Sequence, residues 1–112
     1  MKLNHATLAC AIAALLLSRG TCALAAPDPE TLVDQHRCIF CHTVESPFLA
    51  PSFQQIAQRY RDVPDVSTML EHKLRLGGPA HWGDTAMPLA AERGGPISRE
   101  DAHALVQWVL SH

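Results

Sequence analysis

The sequence predicts a small all-α domain of about four short helices. Apolar residues recur at three- and four-residue spacing in the stretches that follow Asp28, Pro51, Asp65 and Ser98. No stretch alternates apolar and polar residues as a half-buried strand does. The chain has 112 residues and no internal repeats, which suits one domain.

Residues 1–26 stand outside that domain. Lys2 gives a positive start, Ala6 to Ser18 form an apolar run, and Ala23 to Ala26 supply small residues for a signal peptidase. This is the plan of a secretory signal peptide, with cleavage expected after Ala25 or Ala26. A membrane anchor fits less well, because Arg19 breaks the run short of the ~20 residues that span a bilayer. Cys22 follows Arg19-Gly20-Thr21, a poor lipobox, and Cys10 sits too early, so both cysteines are expected to leave with the signal. The working domain is then 27–112, exported to the periplasm and without stable membrane insertion.

Within 27–112, Lys73 and six arginines oppose eleven acids, a net charge of −4. An acidic chain with no basic stripe excludes nucleic-acid binding. A domain this short has a marginal core and usually needs a staple, metal or cofactor.

The elements follow in order. Asp28 caps the first helix, Pro29 suits its first turn, Glu30 favours its positive end, and Leu32 and Val33 form its apolar face. Phe53, Ile56, Ala57 and Tyr60 mark the second helix. Asp65 is the expected cap of the third, with Val66, Leu70 and Leu74 on one stripe and Gly77 as its stop. Ser98 and Asp101 stand at capping-box spacing before the fourth, whose buried face is Ala102, Leu105, Val106 and Val109. Between the last two helices, residues 77–96 are rich in glycine and proline and lack periodicity. A structureless loop of that length in so small a domain is usually functional, and wrapping a large apolar cofactor explains it.

The chemistry is concentrated in Cys38-Ile39-Phe40-Cys41-His42. An exported protein permits a disulfide between the two cysteines. A Cys-x-x-Cys redox pair needs a strand–helix–strand setting, which is missing. Zinc would need His36, Cys38, Cys41 and His42 around one ion, with adjacent Cys41 and His42 both reaching it and no second pair at the usual spacing. Covalent attachment of haem c needs two thiols for its vinyl groups and a histidine beside the second thioether to meet the iron, which is the arrangement present. We therefore expect one haem c bound through Cys38 and Cys41, with His42 as an axial ligand.

The other axial ligand is expected from the long loop. Met87, followed by Pro88, lies away from any helix stripe, and methionine sulfur favours ferrous iron and raises the reduction potential. His81, Met69 and His72 are the competing donors. Met69, on a helix, reads better as core filling.

In these segments the chain resembles the class I cytochromes c, specifically the small bacterial cytochrome c551/c552 type. Cys38 to His42 match the attachment motif. Ala50 to Phe53 resemble a Gly-Pro-Ala-Tyr segment, His81 to Pro88 a Trp-Gly…Met-Pro segment, and Ala104 to Ser111 the C-terminal helix. The resemblance covers nearly all of 27–112 and reproduces the spacing from His42 to Met87. It implies helices wrapped around the haem, His42 and Met87 on the iron, the Pro51 carbonyl on the second ring nitrogen of His42, and the Trp82 indole N–H on a haem propionate. Trp108 is expected to pack, and Phe40, Phe53, Leu70 and Leu74 to cover haem or helix contacts. It also implies single-electron transfer as a monomer or electron-transfer subunit. The partners would be redox proteins such as a cytochrome bc1-type complex, a terminal oxidase, a nitrite reductase or a periplasmic dehydrogenase.

Three departures stand out. Ala50 replaces the usual glycine. The segment after Met87 is longer by about five residues and has Leu89 and Ala90 where an asparagine often supports the sulfur. Lys73 is the one lysine of 27–112, so docking relies less on a basic ring, with Arg37, Arg75 and Arg93 as candidate contributors. The competing class is a haem enzyme or gas-binding protein with an open or labile iron position. A Met87 ligand closes that position.

Overall fold

The computed structural model describes residues 25–112. Almost all of the expected signal segment lies outside the described residues. Among the described residues, no helix is long and apolar enough to cross a membrane.

The described residues form four α-helices: α1 (Pro29–Gln35), α2 (Phe53–Tyr60), α3 (Val66–Leu76) and α4 (Arg99–Leu110). Each start has a local cause. Asp28 accepts from the Thr31 backbone N–H at 3.0 Å and from its hydroxyl at 2.6 Å, with Pro29 opening the helix. Ser52 and Gln55 form a reciprocal capping box at the head of α2. Ser98 accepts from the Asp101 N–H at 3.0 Å, but the Asp101 carboxylate, one methylene shorter than glutamate, does not return the bond. Asp65 departs from expectation. It holds the N-cap position of α3 with a left-handed backbone, φ 54°, and its side chain caps nothing.

Helix α4 is the spine, and α1, α2 and α3 all pack on it. Their shared core contains Leu32, Val33, Phe53, Ala102 and Leu105, joined by Ala90 and Ile97 from the segment before α4. Trp108 packs as expected, meeting Phe53 edge-on at 5.3 Å.

Residues 77–96 are not the structureless loop the sequence suggests. Gly78 and Met87 form an isolated antiparallel bridge, with N–H···O distances of 2.8 and 3.0 Å. Ala90–Glu92 make a 3₁₀ turn that buries Ala90, and the Arg75 Nε donates to the Ile97 carbonyl at 3.1 Å. Arg93 is half-buried and donates to the carbonyls of Pro88 and Leu74. Arg93 thus spends its fork on main-chain carbonyls rather than standing as a free docking charge, and Arg75 commits its Nε to one. Arginine suits that task because its planar fork reaches several acceptors at once.

Gly94 marks the closest approach of this strap to α1. Its φ is 119°, and a Cβ there would lie 2.2 Å from the Gln35 carbonyl oxygen. Gly94→Ala combines a forbidden overlap with an unfavourable dihedral. It should destabilise the holoprotein by about 2–4 kcal/mol, read as a lowered melting midpoint with unchanged haem content.

Candidate functional site

The helices and the strap enclose an apolar cleft of about 1040 Å³, partly open to solvent. Its floor is apolar: Val33, Ile56, Leu70, Leu74, Leu105 and Val106. Cys38, Cys41, His42 and Pro51 supply one part of the wall, and Trp82, Met87 and Pro88 another. The six residues expected to hold the haem, Cys38, Cys41, His42, Pro51, Trp82 and Met87, therefore all line this cleft.

Local geometry explains how the cysteines arrive there. Cys38–Phe40 form a 3₁₀ turn, closed by the Cys41 N–H on the Cys38 carbonyl at 3.2 Å. In such a turn the side chains of residues i and i+3 lie one above the other. Cys38 and Cys41 thus share the cleft side, and the residues between them turn away. Phe40 is 69% exposed, which corrects its expected role as a covering residue, whereas Phe53, Leu70 and Leu74 do line the cleft. Both thiols are free. Burial pushes the Cys38 thiol up, against the depressed value of a reactive redox cysteine.

His42 is held from two sides. Its Nδ1–H donates to the Pro51 carbonyl at 2.6 Å, which fixes the tautomer and leaves Nε2 as the free nitrogen. Phe53 stacks on the ring at 5.8 Å with 21° between planes. Burial lowers the pKa of His42, the Pro51 bond opposes this, and the Arg93 charge adds to the lowering. The imidazole is thereby biased to the neutral form that a metal accepts. Ala50 does not disturb this turn, since its N–H donates to the Cys41 carbonyl at 3.1 Å.

Met87 is placed by main-chain bonds. The bridge to Gly78 sets it against the end of α3, and Gly77, at φ 64°, allows the contact because a Cβ there would meet the Met87 carbonyl oxygen at 2.4 Å. The competing donors fare differently. Met69 is 39% exposed on the outer face of α3, so it neither fills the core, as expected of it, nor reaches the cleft. His72 is exposed and also outside the cleft. His81 lines it, but its Nδ1 is engaged by the Tyr60 hydroxyl at 3.0 Å.

Trp82 is half-buried beside the cleft. Tyr60 packs on it at 5.8 Å, and the Arg59 guanidinium lies 4.5 Å from its ring centroid. Those two contacts, and the Tyr60–His81 bond, were not legible in the sequence, because they join residues more than twenty positions apart with no motif between them.

The donor set fits a haem: an apolar floor, two thiols on one side of a turn, a neutral imidazole with one nitrogen free, and a thioether. Helices packed around such a cleft, with Cys-x-x-Cys-His on its wall, define a c-type haem protein. The chain is 31% identical to cytochrome c-551 of Azotobacter vinelandii over 74% of its length and 95% of the relative's. It is 35% identical to cytochrome c-552 of Nitrosomonas europaea over 71% of its length and 74% of the relative's. The chain belongs to the small bacterial cytochrome c-551/c-552 family, electron carriers with covalently bound haem c. The crystal structure of the Nitrosomonas europaea cytochrome c552 superposes with a TM-score of 0.65 at 34% identity, covering 73% of this chain and 96% of that one. No family model matches the chain.

Proposed function

We propose that this chain is an exported, periplasmic mono-haem cytochrome that shuttles single electrons with His42 and Met87 as axial ligands. The observation that carries this reading is the convergence of His42, its Nδ1 committed to Pro51, and Met87, pinned by the Gly78 bridge, on one apolar cleft. The bound haem supplies a one-electron iron couple. Cys38 and Cys41 anchor it as thioethers. Pro51 keeps the His42 tautomer and raises its basicity as a ligand. The indole N–H of Trp82 donates to a propionate. With both ligands held by main-chain partners, ligation changes little between redox states, so reorganisation stays small.

A signal peptide over residues 1–26 supports export, and residues 27–112 are the mature domain. Electron partners are respiratory redox proteins, which include cytochrome bc1-type complexes, terminal oxidases, nitrite reductases and periplasmic dehydrogenases. One lysine in the mature domain, with Arg75 and Arg93 engaged internally, supports docking that depends little on a basic ring.

The deciding test is spectroscopic. The oxidised protein should show the weak near-infrared sulfur-to-iron charge-transfer band, and the reduced protein should not bind carbon monoxide. Rapid carbon monoxide binding without that band would sink the ligation and favour an enzyme or gas-binding protein. Attachment is tested separately. The Cys38→Ser, Cys41→Ser double variant should lose all haem staining on denaturing gels, and full covalent staining would refute the anchoring.

A further inference from the structure

The segment after Met87 is one of the places where this chain departs from the pattern it resembles, and the Arg93 side chain turns back there onto the main chain. Arg93 donates through Nε to the Pro88 carbonyl at 3.2 Å, through one terminal nitrogen to the Leu74 carbonyl, and through the other makes a long 3.5 Å contact with the His36 carbonyl. Those acceptors belong to three different parts of the site. Pro88 follows Met87, Leu74 is a cleft-lining residue of α3, and His36 lies two residues before Cys38.

We propose that Arg93 is a positioning residue for Met87, its guanidinium fork clamping the Met87–Pro88 segment to α3 and to the end of α1 so that the iron's sixth position stays closed. The inference rests on the ligation proposed above.

Two observations distinguish a clamp from ordinary loop packing. The first is what holds each side of Met87. Its own N–H and C=O are bonded to Gly78, but Pro88 has no N–H to offer, and its carbonyl is taken by Arg93. The second is the cost. Arg93 is half-buried without a carboxylate partner, since the ion pair found among the described residues is His103–Glu71. A charge in that setting is costly unless its donors are satisfied, and here carbonyls satisfy them. An apolar side chain would close the loop without that cost but would hold no carbonyl. Lysine would keep the charge but, as a point donor, could not bridge three acceptors in fixed directions.

The experiment uses the purified ferric holoprotein, titrated with imidazole while the near-infrared sulfur band is followed. Arg93→Gln should raise imidazole affinity about tenfold and weaken the band, the scale expected when a charged hydrogen bond holding the closed state is lost. Arg93→Lys should fall between the two. Arg75→Met, which removes the bond to Ile97 at the far end of the same strap, should lower the melting midpoint and leave imidazole affinity unchanged. The inference is overturned if Arg93→Gln binds imidazole no better than Arg75→Met does. Should Arg93→Gln fail to fold, Arg93→Lys decides: a severalfold rise supports the clamp, and wild-type affinity overturns it. A wild-type protein without the sulfur band sinks the ligation itself. A wild-type protein with the band, alongside an unmoved Arg93→Gln affinity, sinks only the clamp.

Discussion

Met87→Ala is expected to convert a closed iron into an open one. The variant should lose the sulfur-to-iron band, lower its reduction potential by on the order of 0.1 V or more within the ~0.8 V range that axial ligands span, and bind carbon monoxide when reduced. The potential falls because a neutral thioether stabilises ferrous over ferric iron, and alanine puts no donor in its place. The fold should survive, because Met87 is held through its backbone N–H and C=O to Gly78 and alanine keeps both. Met69→Ala is the matched control. Its side chain is 39% exposed and outside the cleft, so spectrum and potential should not move. A Met87→Ala protein that keeps the band would remove Met87 from the iron and require another thioether in its place, Met69 being the remaining methionine of residues 27–112.

The second large effect concerns the cofactor itself. Apoprotein made in the cytosol, away from haem attachment, should show little helix by circular dichroism and no cooperative melt. The reason is where the core lies. Val33, Phe53 and Leu105 belong both to the helix-packing core and to the wall of the cleft. Without haem, one side of each faces a void or water. The cleft of about 1040 Å³ is partly open, so only a fraction of it acts as a true cavity. The part that acts as a true cavity is about 150 Å³, which at ~24 cal/mol per Å³ costs roughly 4 kcal/mol, a large share of the whole stability of a small domain. A native-like melt of the apoprotein would show instead that the four helices close over themselves.

What could be read from the sequence was what is local in it. Asp28 and Ser98 announce helix starts because a cap acts within three residues, and Cys38 to His42 announce haem because the chemistry fits inside five. Ser52 and Gln55 carried an equally legible capping box that the apolar stripe of α2 overshadowed. Asp65 misled because its residue type favours a cap, while its left-handed backbone points the side chain elsewhere. Phe40 and Met69 misled for a related reason. Hydrophobicity suggests burial, but the 3₁₀ turn gives its cleft side to the cysteines, and α3 gives its inner face to Leu70 and Leu74. Arg93 was illegible as a structural residue, because its acceptors are carbonyls of three separate segments and carbonyls have no sequence identity.

That anonymity of the backbone bears on how such a site can change over evolutionary time. The Gly78–Met87 bridge uses two amides that any non-proline residue at position 87 would supply equally well. Position 87 is thus delivered to the cleft whatever side chain it carries, and a single codon change to histidine or lysine would present a new donor without a new fold. His42 has no such latitude, because its place depends on a turn shared with two cysteines and on the Pro51 carbonyl. The two proposed ligands are therefore unequal in mutational terms: one is an exchangeable fitting on a fixed mount, the other is inseparable from its mount.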